Sequence, residues 1–358
     1  MIKKILKSKM NKLYEQIVQR LGIDLSNMPL ALKNASDEII SSYARDGLIE
    51  EREKILDAKA NSKKLTEYRE KTLPVKLNPF VFDWCVGLVL SDASFQYSEK
   101  KRDDGSFLSV RLKMQQVDYH KEFLNYTFLF LLPWVRTIIA FPLKKRAKVK
   151  KRKSLKKARR GFLRCRKPLW LIKPVVWMKR YRMKNRMFEL DTLSAPAFRP
   201  LADLFQNPNI VPKKKSCVKK VIPSNIQDYL TPVAIAAWFC GDGGRKTYGL
   251  IEGKTIRFHT EGFSLSDCQT LADALKNRYG WNVEVVVRKR NNKYYNKLQI
   301  TKDSFDSFCE TVKPYILPSF YKRLPLYAPR LERNKFKKQR KLRKLAQMKT
   351  RKRANKPN

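Results

Sequence analysis

Histidine, metal-binding cysteine patterns and an apolar leader are all scarce or missing in this sequence. The chain has two histidines, His120 and His259, and its six cysteines are scattered without a C-x-x-C spacing. A zinc site built from cysteine and histidine is therefore not expected. We expect buried thiols in a reducing compartment instead. The basic N-terminus has no long apolar core, so we do not expect it to be a secretory signal peptide.

Uninterrupted apolar runs of membrane-spanning length are also missing. The stretch "FLNYTFLFLLPWVRTIIAFPL", residues 123–143, has the length of a span, but Asn125, Pro133, Arg136 and Pro142 interrupt it. This pattern predicts a core helix that ends near Pro133 and is followed by a strand or loop, and it predicts no membrane association.

Acidic residues are few relative to basic ones. The 358-residue chain carries 79 Lys and Arg against 32 Asp and Glu, which gives a formal net charge of +47. An excess of this size makes a folded protein repel itself, so it indicates a polyanionic partner, with nucleic acid ahead of an anionic membrane surface. The hydrophobic fraction of 43% is enough for real cores, and the length allows two domains or one pseudo-symmetric pair.

What the sequence does contain is the same short motif twice. "GLVLSDAS" begins at Gly87 and "AWFCGDGG" begins at Ala237, and each places an acid after an apolar helix. Small residues four apart, Gly87 with Ser91 and Ala237 with Gly241, lie one above the other on a helix and leave a flat stripe. If the two stripes face each other, Asp92 and Asp242 emerge side by side.

Two neighbouring carboxylates need a compensating cation. A hard divalent ion such as Mg²⁺ suits oxygen ligands. On a strongly basic protein, a metal ion shared by two acids indicates phosphodiester hydrolysis. Either motif alone is more simply read as a buried helix with a terminal Asp; the second copy, with the same elements after it, favours the functional interpretation.

The two halves repeat one order of elements. After each motif the sequence predicts a hairpin, a helix, more strands and a further helix, which indicates an internal duplication. We expect a helical N-terminal extension over 1–75, a first half over 76–208 with a basic insertion at 144–186, and a linker over 209–230. A second half would cover 231–330 and a basic, unfolded tail 331–358.

The motifs resemble the signature helices of LAGLIDADG homing endonucleases in their single-chain, two-motif form. "RLKMQQVDYHKEFL", "FELDTLSAPAF" and "KLQITKDSFDSFCETVKPYILPSF" fit the same pattern, and the resemblance covers roughly residues 76–330. It implies an α+β fold of two αββαββα halves whose antiparallel sheets form a saddle over the DNA major groove. It also implies Mg²⁺-dependent cleavage of both DNA strands across the minor groove.

The resemblance also implies roles for individual residues. Asp92 and Asp242 match the metal-binding acids, Gln116 matches a polar residue near the active-site water, and Glu261 occupies its place in the second half. Lys302 falls near a basic residue that assists the transition state. Because Glu261 stands where the family more often has Gln, the two half-sites are expected to be unequal.

DNA contacts are expected from the strands and from the basic insertion. "SVRLKMQQV" puts Val110, Leu112 and Met114 on one strand face. The opposite face and its counterpart in the second half are expected to read the DNA, through Arg111, Lys113, Gln115, Arg257 and His259. From 144 to 186 there are 21 Lys and Arg and no acid, with aromatic residues interleaved. There we expect Lys150, Lys151, Arg152 and Lys153 to bind phosphates; a solvated insertion without defined contacts is the alternative.

Two functions from different classes fit these features. The first is a site-specific DNA endonuclease encoded within an intron, whose double-strand break promotes intron homing. The second is an RNA-binding maturase that assists splicing of its intron. The retained acid pair favours the nuclease. We expect a monomer that is encoded in an organelle, either chloroplast or mitochondrion.

Overall fold

The computed structural model describes most of the chain between residues 28 and 324. The described residues are 28–56, 58, 62–97, 110–117, 120–141, 187–206, 220–248, 251–290 and 293–324, with short pieces between 15 and 23. The predicted insertion at 144–186, including Lys150, Lys151, Arg152 and Lys153, and the predicted tail at 331–358 lie outside them.

The first half follows the predicted αββαββα order. Its elements are α4 (Pro79–Leu90), β1 (Ser94–Tyr97), β2 (Val110–Val117), α5 (Lys121–Phe130), β3 (Val135–Phe141), β4 (Met187–Thr192) and α6 (Arg199–Phe205). The described strands form one antiparallel sheet in the order β1-β2-β4-β3.

The second half repeats this order. Its elements are α7 (Pro232–Asp242), β5 (Gly243–Tyr248), β6 (Ile251–His259), α8 (Leu265–Tyr279), β7 (Val283–Arg290), β8 (Lys293–Ile300) and α9 (Phe305–Val312). The sheet order β5-β6-β8-β7 matches that of the first half strand for strand. The predicted α+β duplication is therefore confirmed.

Local sequence sets the starts of the two signature helices. The Asn78 side chain accepts a hydrogen bond from the Phe80 amide, and the Thr231 side chain accepts one from the Ala234 amide. In both cases proline follows the capping residue, where its missing N–H costs nothing. Both helix starts therefore follow from a local capping signal in the sequence.

Strands β2 and β6 each have one buried apolar face and one polar face. In β2, Val110, Leu112 and Met114 are buried, as the alternation predicts, and Arg111 and Lys113 point the opposite way. In β6 the buried pair is Ile256 and Phe258, which places Arg257 and His259 on the opposite face. Each half thus has an apolar face under its helices and a polar face away from them.

The apolar stretch after residue 120 forms a buried helix and then a strand. Helix α5 ends at Phe130, a 3-10 turn at 132–134 contains Pro133, and β3 follows. The predicted core helix and strand are therefore confirmed. Among the described residues, the helices are too short or too polar to span a bilayer.

The N-terminal helices of the predicted extension pack directly on the first half. They are α1 (Leu30–Arg45), α2 (Leu48–Ile55) and α3 (Lys63–Glu67). The Tyr43 hydroxyl donates to the Phe130 carbonyl at 2.7 Å, and the Tyr68 hydroxyl donates to the Pro133 carbonyl at 2.8 Å. Their apolar residues continue the main core. Sequence periodicity marks the helices but does not show which surface they cover.

Candidate active site between the two halves

The signature helices α4 and α7 pack against each other through their small residues. A Cβ atom on Gly87 would lie 2.1 Å from the Ala234 carbonyl oxygen and 2.6 Å from the Ala237 Cβ. A Cβ atom on Gly241 would lie 2.4 Å from the Ser91 hydroxyl. These approaches are too close for any side chain, so the predicted contact between the two stripes is confirmed.

The helix pair brings its two acids to one place. Asp242 is the last residue of α7, and Asp92 lies two residues after the end of α4. Burial and then the charge of Asp92 raise the pKa of Asp242 to about 7, against the opposing charges of Lys220 and Arg323. Asp92 is exposed on one side, yet partial burial of its carboxyl raises its pKa too. The hydrogen bond from Gln116 and the charge of Lys220 act in the opposite direction. The charge on one carboxylate therefore disfavours ionisation of the other.

Gln116 and Glu261, the equivalent polar residues of the two halves, behave differently. The Gln116 side-chain amide donates to an Asp92 carboxylate oxygen. Glu261 instead bonds to Lys297 at 2.9 Å and to His259 at 3.1 Å. Partial burial acts to raise the pKa of Glu261, but these two partners outweigh it, and the pKa is lowered. The two equivalent positions therefore have different bonding partners, and unequal activity of the two half-sites stays a prediction.

Lys220 is a cation beside the acids that sequence reasoning missed. Its ammonium donates to the carbonyls of Ser91 at 2.9 Å and Ala93 at 3.1 Å, and it lowers the pKa of both Asp92 and Asp242. The stretch 209–230 is predicted as a linker, but Lys220 itself is fixed in the structure. No local signal separates it from the other lysines of "PKKKSCVKK".

Arg323 holds the corresponding position at the second helix. Its guanidinium donates to the carbonyls of Phe239 at 3.3 Å and Gly243 at 2.8 Å. In the first half, Lys220 donates to the carbonyls of Val89 and Ala93, which lie 150 positions earlier in the chain. Cations at helix C-termini satisfy the free carbonyls and stabilise the negative end of the helix dipole. Each signature helix therefore ends at a basic side chain from a distant segment.

Lys302 lies at the exposed start of the 3-10 turn before α9. Among the described residues, the cations that lower the pKa of Asp242 are Lys220 and Arg323, and Lys302 is not one of them. A catalytic role for Lys302 stays a prediction.

The residues predicted to read DNA share the polar faces of the sheets with acids and amides. Arg111 bonds to Asp191 at 3.1 Å and to Gln96, while Lys113 bonds to Glu189 at 2.9 Å. Gln115 donates to the same Glu189. These hydrogen bonds and ion pairs link side chains on neighbouring strands. Their contact with DNA stays a prediction.

The second sheet has a similar polar face. Arg257 donates to Gln299 at 3.2 Å, and His259 lies beside Lys297. Gln299 in turn donates to Glu284 at 3.0 Å. This face carries both donors and acceptors, the two kinds of group that recognise base edges in the major groove.

Comparison with known proteins agrees with this architecture. Residues 168–308 match the sequence profile of the LAGLIDADG DNA endonuclease family. A "Probable intron-encoded DNA endonuclease 3" from Mycosarcoma maydis is 30% identical over 135 residues, which cover 37% of this chain and 90% of that protein. The chain belongs to the LAGLIDADG DNA endonuclease family.

Other relatives of this LAGLIDADG protein are matched over part of their length. The "Cytochrome b mRNA maturase bI2" of Saccharomyces cerevisiae is 35% identical over 109 residues, which are 30% of this chain and 24% of the maturase. The chain therefore spans about a quarter of that relative. The solved structure "The homing endonuclease I-WcaI bound to its DNA recognition sequence" matches with a TM-score of 0.53 and 17% identity, covering 76% of this chain and 97% of that one. This last likeness supports the fold.

Proposed function

We propose that the chain is a site-specific DNA endonuclease that cuts both strands with a divalent metal ion at Asp92 and Asp242. The observation that carries this proposal is the close packing of α4 and α7, in which glycines allow two acids to meet at the helix ends. Keeping two carboxylates together without a cation is unfavourable. The same carboxylates are suited to bind one when DNA is present.

The donor set fits a hard cation that shares its ligands with a substrate. No group of three or more His, Cys, Asp or Glu side chains suited to a metal ion occurs among the described residues. Mg²⁺ is commonly bound through one or two carboxylates, with water and substrate phosphates completing its coordination. Asp92 and Asp242 fit that pattern, so we propose Mg²⁺. Such an ion stabilises the attacking and leaving oxygens of phosphodiester hydrolysis.

The chain's own residues would place the DNA around this centre. Lys220 carries a positive charge close to both acids, where a scissile phosphate would lie. The polar faces that carry Arg111 and Arg257 would lie along the major groove, and the net charge of +47 favours binding to phosphates.

A maturase function is the second candidate. It is supported by the similarity to the yeast cytochrome b maturase, and intron RNA would then be a further partner. The nuclease remains the main proposal because Asp92 and Asp242 are both present, and RNA binding alone does not need them. Relatives described as intron-encoded favour an intron origin, and we propose an organellar genome and a monomer.

The test is cleavage of the intron-free allele of the host gene, with Mg²⁺ and separately with EDTA. We expect double-strand cleavage with Mg²⁺ and none with EDTA. Asp92→Asn or Asp242→Asn should leave DNA affinity nearly unchanged and abolish cutting or allow only a nick. The control is Asp273→Asn, an exposed aspartate on α8, which should cut normally. Full cleavage by the Asp92→Asn, Asp242→Asn double variant would refute the assignment.

A further inference from the structure

Four polar side chains from three segments form a hydrogen-bonded row that ends at Asp92. Arg323 Nη2 lies 2.6 Å from His120 Nε2, and His120 Nδ1 lies 2.9 Å from Gln116 Oε1. Gln116 Nε2 completes the row at Asp92 Oδ2. Gln116 and His120 are 3% and 8% exposed, so solvent does not readily replace these bonds.

The row has a single direction. A guanidinium can only donate hydrogen bonds, so Nε2 of His120 must accept one and the ring proton resides on Nδ1. That proton is donated to the Gln116 carbonyl oxygen. The carbonyl end of Gln116 is then occupied, and its NH₂ group faces Asp92. Reversing the amide would place a donor against a donor at His120 and an acceptor against a carboxylate at Asp92.

The same arginine holds the helix that ends in Asp242. Its Nη1 donates to the Gly243 carbonyl at 2.8 Å, and its guanidinium lies over the Phe320 ring at 4.7 Å. His120 packs against that ring too, at 5.1 Å between centroids. Arg323 therefore donates to the C-terminal end of α7 through Nη1 and to His120, the next member of the row, through Nη2.

We propose that His120 and Arg323 are positioning residues that hold the Gln116 amide in one orientation towards Asp92. This inference rests on the proposed nuclease function. At the equivalent position of the second half, Glu261 is bound by Lys297 and His259, and its carboxylate has no N–H to donate. The row therefore serves one half-site, and its loss should slow cleavage of one DNA strand more than the other.

The first test is spectroscopic and does not depend on cleavage. The chain has only two histidines, so a full-length protein labelled with ¹⁵N-histidine gives two imidazole patterns. We expect one imidazole at neutral pH to carry its proton on Nδ1, and His120→Phe assigns it by removing it. Arg323→Met should lower the population of this tautomer, because Nε2 then loses its fixed donor. A His120 ring that is protonated on Nε2, or on both nitrogens, would overturn the proposal.

The second test follows a supercoiled plasmid that carries the intron-free allele through its nicked form to its linear form. His120→Phe keeps a ring against Phe320 but removes both hydrogen bonds. We expect cleavage of one strand to slow by about 10- to 100-fold, as is typical for partners that orient metal-site groups, so nicked plasmid accumulates. DNA affinity should not change. His120→Gln can accept from Arg323 and donate to Gln116, and it should recover part of the rate.

The matched control is Glu122→Gln. Glu122 accepts a hydrogen bond from the Ser319 amide at 3.0 Å and so joins the same two segments without belonging to the row. It should cut both strands at the wild-type rate. Wild-type rates in His120→Phe, or equal slowing of both strands, would overturn the proposal. If the wild-type protein does not cut at all, the nuclease assignment fails, and the imidazole spectrum still decides whether the row exists.

Discussion

At the scale of one residue, the charged form of Asp242 destabilises the folded chain. Burial and the neighbouring charge of Asp92 raise its pKa to about 7, so the folded chain binds this proton more tightly than the unfolded chain does. The contribution of Asp242 to the free energy of unfolding is therefore fully present below its unfolded pKa near 3.8. It is lost as the pH rises through about 7.

Asp242→Asn should accordingly stabilise the metal-free protein at pH 8, and stabilise it less at pH 5, where only part of this stability has been lost. We expect a gain on the order of 1–2 kcal/mol at pH 8, once screening at this partly buried position is allowed for. Thermal unfolding in EDTA at both pH values measures it. An equal gain at the two pH values would show that the charge of Asp242 is not the cause.

At the scale of elements, the contact between α4 and α7 makes a definite prediction. Gly87→Ala would place a methyl group 2.1 Å from the Ala234 carbonyl oxygen, so the helices must separate. Overpacking of this kind costs about 1–3 kcal/mol, and Gly87→Leu should cost more. Chemical denaturation measures the loss in free energy of unfolding.

Gly262→Ala is the control for this substitution. A Cβ atom at Gly262 would meet nothing within 4 Å, so the cost of a new methyl group there should be small. A Gly87→Leu protein with an unchanged melting temperature would contradict the helix contact.

The N-terminal helices matter at the scale of the whole molecule because they complete the core of the first half. Arg52 is 1% exposed, and its Nε donates to the Val135 carbonyl at 2.9 Å while its guanidinium lies over the Phe128 ring. Arg52→Ala leaves that carbonyl without its donor and opens a gap at the contact. We expect a loss of about 1–3 kcal/mol in a single cooperative transition. A separate early transition of the N-terminal helices, with the remainder unchanged, would show that they fold independently.

The charge of the whole chain predicts strong salt dependence. If Lys150, Lys151, Arg152 and Lys153 contact phosphates, each lost contact should lower the slope of log affinity against log salt by roughly 0.9 on duplex DNA. Neutralising all four should weaken specific and random DNA by similar factors and preserve sequence discrimination. Titrations at several salt concentrations, with intron RNA in parallel, measure it. Retained DNA affinity with lost RNA affinity would support the maturase, and unchanged slopes for both would indicate a solvated insertion.

The sequence by itself determined the duplicated order of elements, the helix starts at Asn78 and Thr231, and the pairing of Asp92 with Asp242. These features depend on local signals: capping residues, small residues four apart, and alternation along a strand. Each can be read within a window of a few residues, and the duplication doubles the signal.

Only the tertiary structure decided which distant side chains surround the acids. Lys220, His120 and Arg323 reach the site from segments that are up to 231 positions from Asp92, and each looks like an ordinary residue in its local context. The packing of the N-terminal helices on the first half is of the same kind. The physical reason is that hydrogen bonds and charges act through space over a few ångströms, whereas a sequence pattern reveals neighbours along the chain and, beyond them, only what the duplicated motif repeats.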